Sequence, residues 1–405
     1  MIHLCLSDIL KLKRLPLGEL GFFYGGLSGK SKEDFVNGNG RFVPYMNVFS
    51  NFSVDLNNLG EVNVEEGERQ NRIEYGDVLF TGSSETPDEC GMSSVMLDKV
   101  DDETPIYLNS FCFGFRFNDL SQIYPAFYKH LFRSNQIRKE INKTANGVTR
   151  FNITKKLFAK IVVPIPSIEQ QKEIARKLDV FTSLISNIDE EIELRKKQFS
   201  FTLEEIFSFE DRVDIESLPI GQVFITRNGY TPSTSNPDFW ENGYIPWFKM
   251  EDIRENGRIL SDSKLHITPI AVKGKGLFKA NSIILATSAT IGEHALITVD
   301  HLCNQRFTNF YPQKEYHYKI SMKYVYYYMF IIDEWCKSHI NQGGFASVDM
   351  NSLFRLNIPI PAIAIQQSIV EKLDTFTSLI SKLQEERNLR QKQYEYYREK
   401  FLTFE

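Results

Sequence analysis

The chain has 405 residues, 42% of them hydrophobic, and a formal net charge of −5. That length predicts more than one domain, and that apolar content supplies real cores. The near-neutral balance offers no overall attraction to nucleic acid, and no run of about 18 apolar residues signals a transmembrane helix. The start, M-I-H-L-C-L-S-D-I-L-K-L-K-R-L, has charges too early and no small-residue cleavage site, so it does not read as a signal peptide. Five widely spaced cysteines without a C-x-x-C fit a reduced cytosolic protein with neither a disulfide framework nor a zinc site.

In chain order, the first marker is L-P-L-G-E-L (15–20). Next comes Y-G-G-L-S-G-K-S (24–31), which approaches a phosphate-binding loop, but Tyr24 stands where that motif needs its first glycine. A Gly/Asn loop, N-G-N-G-R (37–41), precedes the candidate strand F-V-P-Y-M-N-V (42–48). Further candidate strands are G-D-V-L-F-T-G (76–82) and F-C-F-G-F-R-F (111–117). Between positions 61 and 103 stand thirteen acids against Arg69, Arg72 and Lys99. A helix is predicted over 124–141. From Lys129 to Lys160 the balance reverses, with nine basic residues (Lys129, Arg133, Arg138, Lys139, Lys143, Arg150, Lys155, Lys156, Lys160) and one acid, Glu140. Such a dipolar domain suits a polyanion on one side, since phosphate contacts come from clustered Lys and Arg. The loop N-G-V-T-R-F-N (146–152) lies inside that basic stretch.

A proline-bounded segment, P-I-P (164–166), then opens a long helix. Its apolar residues Ile174, Leu178, Phe181, Ile185, Ile188 and Ile192 recur in steps of four and three, and the pattern continues through Arg195 to Phe199. A sustained period of 3.5 marks a coiled-coil seam. Proline fixes the start because it breaks a helix interior.

The second half repeats this plan. L-P-I-G-Q-V (218–223) resembles the first marker. R-N-G-Y-T-P-S-T-S-N (227–236), a strand S-I-I-L-A-T (282–287), a strand F-T-N-F-Y (307–311), a helix over 322–340 and a loop N-Q-G-G-F-A-S (341–347) follow. A second P-I-P (359–361) opens a second long helix with the seam Ile369, Leu373, Phe376, Ile380 and Leu383, continuing through Arg387, Arg390 and Tyr394. Laid over each other without gaps, 161–199 and 356–394 agree at 21 of 39 positions, including F-T-S-L-I-S twice. Leu184 and Leu379 in that hexamer are expected to widen the apolar stripe. Each helix should run roughly 40 residues, about 60 Å. An exposed seam of that length is unstable alone, so the two helices are expected to pair antiparallel.

The expected organisation is α+β: a globular domain at 1–160, a helix at 161–210, a second globular domain at 211–355 and a second helix at 356–405. It is an internal repeat with pseudo-two-fold symmetry, in which two α/β domains are separated by an antiparallel two-helix coiled coil. The sequence shows no H-E-x-x-H, no [DN]-P-P-[YF] and no strand-end carboxylate cluster of a nuclease, so no catalysis is expected in this chain.

These residues resemble a known family. The duplicated P-I-P-S-I-E-Q-Q-K-E-I-A-R-K-L-D and P-I-P-A-I-A-I-Q-Q-S-I-V-E-K-L-D, the stretch R-N-G-Y-T-P-S…G-Y-I-P-W-F-K-M-E-D-I (227–253) and G-V-T-R-F-N-I are similar to the DNA-specificity subunit of Type I restriction–modification systems. The family's E-Q-Q stands intact at 169–171. The second copy departs, with Ala364 and Ile365 before Gln366, so that motif does not fix where its helix starts. The resemblance implies two target-recognition domains, each reading half of a bipartite DNA site. It also implies that the helices act as a ruler and dock two methyltransferase subunits, and that restriction subunits complete the assembly. No cofactor is implied for this chain; S-adenosylmethionine, ATP and Mg²⁺ belong to its partners. A coiled-coil scaffold without DNA is the alternative. The loops offer Lys30, Lys32, Arg41, Asn146, Thr149 and Arg150 in the first domain as candidate DNA contacts. In the second they offer Arg227, Tyr230, Thr231, Ser233, Lys249, Gln342 and Ser347.

Overall fold

The computed structural model describes residues 12–101, 104–208, 215–341 and 346–404. The chain divides into two compact units: Met1–Asp189 with Glu385–Glu405, and Glu190–Gln384. Each unit therefore contains one globular part and a segment of each long helix.

In the first unit, the opening strand Lys13–Pro16 pairs antiparallel with Val162–Ile165, setting Leu15 opposite Val163 and Arg14 opposite Pro164. Two sequence markers that lie far apart in the chain are thus partners in space. A two-stranded ribbon has only edges, so proline's missing N–H is tolerated there. The main sheet has the antiparallel order Gly21–Gly25, Cys112–Phe117, Val78–Thr81, Ser93–Val95. Its alternation divides two cores: Val78 and Phe80 point into one with Phe113, Phe115 and Phe158, while Leu79 joins Tyr24, Val43 and Val48 in the other. Each such fully buried side chain stabilises the fold by about 1.5–3 kcal/mol.

The second unit repeats the frame. Its opening strand Glu216–Pro219 pairs with Asn357–Ile360, with Leu218 opposite Ile358 and Ser217 opposite Pro359. Its sheet runs Phe224–Asn228, Phe307–Pro312, Ser282–Ala286, His294–Ile297, Ile259–Leu260, the last pair parallel. Ile283 and Leu285 face one core, Ile284 and Ala286 the other.

Three local expectations are corrected. F-V-P-Y-M-N-V is half strand (Gly40–Val43) and half helix (Tyr45–Ser50), because Pro44 ends the ladder and stands at the helix N-cap. The helix expected over 124–141 is two, Pro125–Leu131 and Asn135–Asn142, interrupted where Ser134 turns to extended geometry. The helix expected to reach 340 ends at Ser338, and Ile340 begins a short strand.

The long helices are Ile168–Phe207 and Ile363–Leu402, 40 residues each. They begin and end in the same repeat register, so the altered E-Q-Q of the second copy moves nothing. Gln171 and Gln366 explain why. Both are fully buried. Gln171 Oε1 accepts from the Tyr124 N–H at 2.8 Å, and Nε2 donates to the carbonyls of Gln122 and Pro166, both at 2.9 Å. Gln366 accepts from the Ser321 N–H at 2.8 Å and donates to Lys319 and Pro361 at 2.8 and 2.7 Å.

Within the first unit the two helix segments run antiparallel. Lys177 lies over the Phe401 ring, Phe181 stacks on Tyr397 at 5.2 Å, and Arg387 donates to Asp189 at 3.1 Å. Ile174, Leu178 and Ile185 share that unit's core with Tyr394 and Leu402, and Ile188 is half-buried. In the second unit Ile192, Ile369 and Leu373 are buried, and Phe376, Ile380 and Leu383 are half-buried. Phe199 meets Phe376 at 6.5 Å, and Leu203 and Phe207 share a core with Ile369 and Leu373. Leu184 and Leu379 do not widen the stripe: they are 40% and 36% exposed. No helix among the described residues is long and apolar enough to cross a membrane.

Candidate nucleic-acid interface

Loops gather at one end of the first unit's sheet, where Val78–Thr81 ends and Cys112–Phe117 begins, Thr81 lying opposite Cys112. The Gly82 N–H donates to the Phe111 carbonyl at 2.7 Å, and the Gly82 carbonyl accepts from the Ile153 N–H at 2.9 Å. Gly82 thereby ties the turn before one strand to a hairpin. That hairpin pairs Ala145 with Ile153 and Asn146 with Asn152, and its return strand pairs with Ser83 and Ser84. A Cβ at Gly147 would sit 2.0 Å from the Arg150 carbonyl oxygen, at φ +147°, so only glycine fits the turn. Asn146 braces the hairpin by donating to Thr154 Oγ1 at 2.8 Å.

The hairpin presents Val148, 91% exposed, with exposed Thr149 and Arg150. The Arg150 guanidinium lies 5.5 Å from the ring of Phe111, itself 57% exposed. The structure thus brings Asn146, Thr149 and Arg150 together. The Gly-rich loop starts at the same end, since the Gly26 N–H donates to the Cys112 carbonyl at 3.3 Å. On that loop Lys30 is held in an ion pair with Glu68, whose carboxyl it pulls down to about 2. Lys32 is exposed. Arg41 lies on a different, three-stranded sheet, and its guanidinium donates to the Leu56 carbonyl at 3.0 Å.

Much of the basic stretch 129–160 is turned inward. Arg133 donates to the carbonyls of Ser93, Phe49 and Asn51 at 2.7–3.0 Å, and burial pulls its guanidinium down to about 10. Arg138 donates to Gly91 and Cys90, both at 2.6 Å, and is lowered by the same cause to about 10. Lys129 pairs with Asp179 at 2.7 Å. The exposed cations of this stretch include Arg150, Lys155, Lys156 and Lys160.

The second unit builds the same corner from other side chains. The Thr287 N–H donates to the Arg306 carbonyl at 2.9 Å, and the Thr287 carbonyl accepts from the Val348 N–H at 2.9 Å. A short hairpin pairs Ile340–Asn341 with Ser347–Val348, and Ser347 bridges to Ser288. Exposed Thr231 donates to the Gln305 side chain. The Asn304 N–H donates to the Phe248 carbonyl at 3.0 Å, which sets Lys249 beside the same turn, where it pairs with Glu251. Thr231, Lys249 and Ser347 therefore surround Asn304–Arg306. Gln342 lies outside the described residues.

Arg227 and Tyr230 are engaged elsewhere. Arg227 donates to the Gly276 carbonyl at 2.6 Å and stacks 4.2 Å from the Phe278 ring, where burial lowers its pKa. The Tyr230 hydroxyl donates to Ala271 at 3.1 Å and accepts from the Lys273 N–H at 2.8 Å. Together they pin the loop that displays exposed Lys273 and Lys275. Ser233 bonds Ser235 at 2.9 Å, and its carbonyl accepts from Trp240 Nε1. Phe111, Val148 and Arg306 were not among the candidates. Their signal in the sequence was position next to a buried strand or inside a glycine turn, which reads equally as ordinary loop. Among the described residues no group of three or more His, Cys, Asp or Glu side chains is placed to hold a metal ion.

A family model described as the Type I restriction modification DNA specificity domain matches residues 30–194 and again 212–390. The chain is 48% identical over 205 residues to the Type I restriction enzyme EcoprrI specificity subunit of Escherichia coli, covering 48% of this chain and 51% of that protein. It is 36% identical over 263 residues to the EcoR124I/EcoR124II specificity subunit of the same organism, covering 60% and 63%. These alignments span about half and just under two thirds of the relatives' lengths. In fold, the chain is similar to the Type-I restriction-modification S subunit from M. genitalium, with TM-score 0.51 and 13% identity over 99% of this chain and 98% of that one. It is also similar to a chain from a structure describing complex assembly and conformational transition of the type I R-M system, with TM-score 0.59 and 15% identity over 96% and 97%. With the model matched twice along most of its length, the chain belongs to the Type I restriction modification DNA specificity domain family.

Proposed function

We propose that this chain is the DNA-specificity subunit of a Type I restriction–modification complex. Its two units read the two unlike parts of a bipartite, asymmetric DNA site. Its repeated helices dock two methyltransferase subunits, and restriction subunits join the full assembly. The chain contributes recognition without catalysis of its own. S-adenosylmethionine, ATP and Mg²⁺ are bound by partner subunits, and the complex works in the cytoplasm.

One observation carries this reading. The same backbone corner, a glycine or threonine tying a turn to a hairpin, occurs in both units and displays different side chains. A duplicated frame with unlike exposed groups suits two readings of one polymer. Exposed Arg150, Lys155, Lys156, Lys273 and Lys275 supply phosphate contacts that position the duplex, while polar and apolar groups at the corners meet base edges.

Fluorescence anisotropy of random-sequence duplexes with the chain and a partner methyltransferase tests this. Binding should weaken steeply with salt, because phosphate contacts release counterions. Absence of any salt-dependent binding contradicts the proposal and favours a protein-bridging scaffold.

A further inference from the structure

The two corners contain a pair of equivalent positions. Gly82 and Thr287 each donate to the residue immediately before a central strand and each accept from a hairpin. The hairpin donors, Ile153 and Val348, are separated by the same offset as the long helices. The residues before the strands are Phe111, ahead of Cys112–Phe117, and Arg306, ahead of Phe307–Pro312. Both are exposed, and they differ completely in chemistry. Phe111 is a large ring left in water, backed by Arg150, whose hairpin also carries the exposed Val148. Arg306 is an exposed guanidinium with no side-chain hydrogen bond or ion pair among the described residues; only its backbone is held, by Asn304 Oδ1 at 3.0 Å and by Thr287. An exposed ring and an unpaired fork, both on hydrogen-bonded turns, are poorly explained as packing.

We propose that Phe111 and Arg306 are the paired specificity-determining residues of the two units, an inference that rests on the DNA-reading function above. Arg306 reads a guanine, since its planar fork matches the O6 and N7 acceptors in the major groove. Phe111 has no donor and reads by apolar contact, against a thymine methyl or an opened base step. The two half-sites therefore differ in the chemistry by which their key base pair is recognised.

The test uses the chain assembled with its methyltransferase partner, on a plasmid library in which every base pair of the wild-type motif is varied in turn. Arg306→Ala should lose about tenfold to a hundredfold of its preference for G·C at one base pair of one half-site, leaving the other half-site as read by wild type. Arg306→Gln should move that preference from G·C towards A·T, because glutamine matches adenine N6 and N7. Phe111→Ala should loosen the opposite half-site only. The untouched half-site reports that each variant is folded and assembled. If Arg306→Ala yields no methylation, the glutamine variant decides: a shift to A·T supports the inference, and retained G·C preference or equal loss in both halves overturns it. If the wild-type complex shows no bipartite preference, the functional reading itself fails, which is a different result.

Discussion

Gln171 and Gln366, 195 positions apart in the chain, make the same three hydrogen bonds at the start of the two long helices. Each amide staples the first helical turn to the preceding P-I-P and to the backbone at the N-terminus of a globular helix. The repetition extends to the carbonyl of the third P-I-P residue. It follows that these glutamines, rather than the variable residues before them, position the helix starts.

Replacing either glutamine with leucine should destabilise the chain by about 2–4 kcal/mol, since the buried carbonyl of Pro166 or Pro361 and a part-buried carbonyl and N–H lose their partner. The two substitutions should cost nearly the same, because their surroundings match. Thermal unfolding of the purified chain checks this, and a near-neutral effect at one site would show that the staples are not equivalent.

Arginines 133 and 150 should behave as opposites. Arg133→Ala removes a guanidinium that ties the carbonyls of Phe49 and Asn51 to that of Ser93, and should cost about 3 kcal/mol or more of stability. Arg133→Lys should not restore it, because an ammonium cannot span those carbonyls as a fork does. Arg150→Ala should leave stability within about 0.5 kcal/mol yet weaken DNA binding and flatten its salt dependence by about one phosphate contact. Urea midpoints and anisotropy at several salt concentrations separate the two effects.

Two buried histidines set an acid limit. Asp179 can only accept a hydrogen bond, so His130 Nε2 donates to it at 2.7 Å, and Nδ1 accepts from the Tyr394 hydroxyl at 3.0 Å. Burial lowers the His130 pKa to about 4, and lowers that of His301 to about 4 as well. Both values lie below the unfolded value of about 6.5. The unfolded chain therefore binds more protons between these limits, and stability rises with pH there. The chain should hold full stability above about pH 6.5 and lose up to about 3 kcal/mol per histidine as pH falls to 4. His130→Gln should remove roughly half of that slope. An unchanged slope in urea titrations from pH 7 to 4.5 would contradict the assignment.

The repeat itself was legible because identity over 161–199 and 356–394 is high and helical seams are local patterns. The helix lengths and the central strands Val78–Thr81, Cys112–Phe117, Ser282–Ala286 and Phe307–Pro312 follow from the same local signals. Other features depend on contacts distant in sequence. The pairing of Leu15 with Val163 is not written in either segment alone. Arg133 and Arg138 read as surface charge until the carbonyls of 88–93 close around them. Leu184 sits in a hexamer written twice, but one residue off the seam leaves it in solvent. The equivalence of Phe111 and Arg306 shows in matching backbone hydrogen bonds, and both keep the 195-residue offset of the repeat and follow an asparagine two residues earlier, but few other residues around them agree.

The most direct measurement of the central claim is methylome sequencing of cells with and without this gene. Two unlike reading units on one duplicated frame predict that a single bipartite, asymmetric methylation motif disappears with the gene. An unchanged methylome in cells that otherwise methylate Type I sites, or loss of a continuous symmetric motif instead, would contradict it.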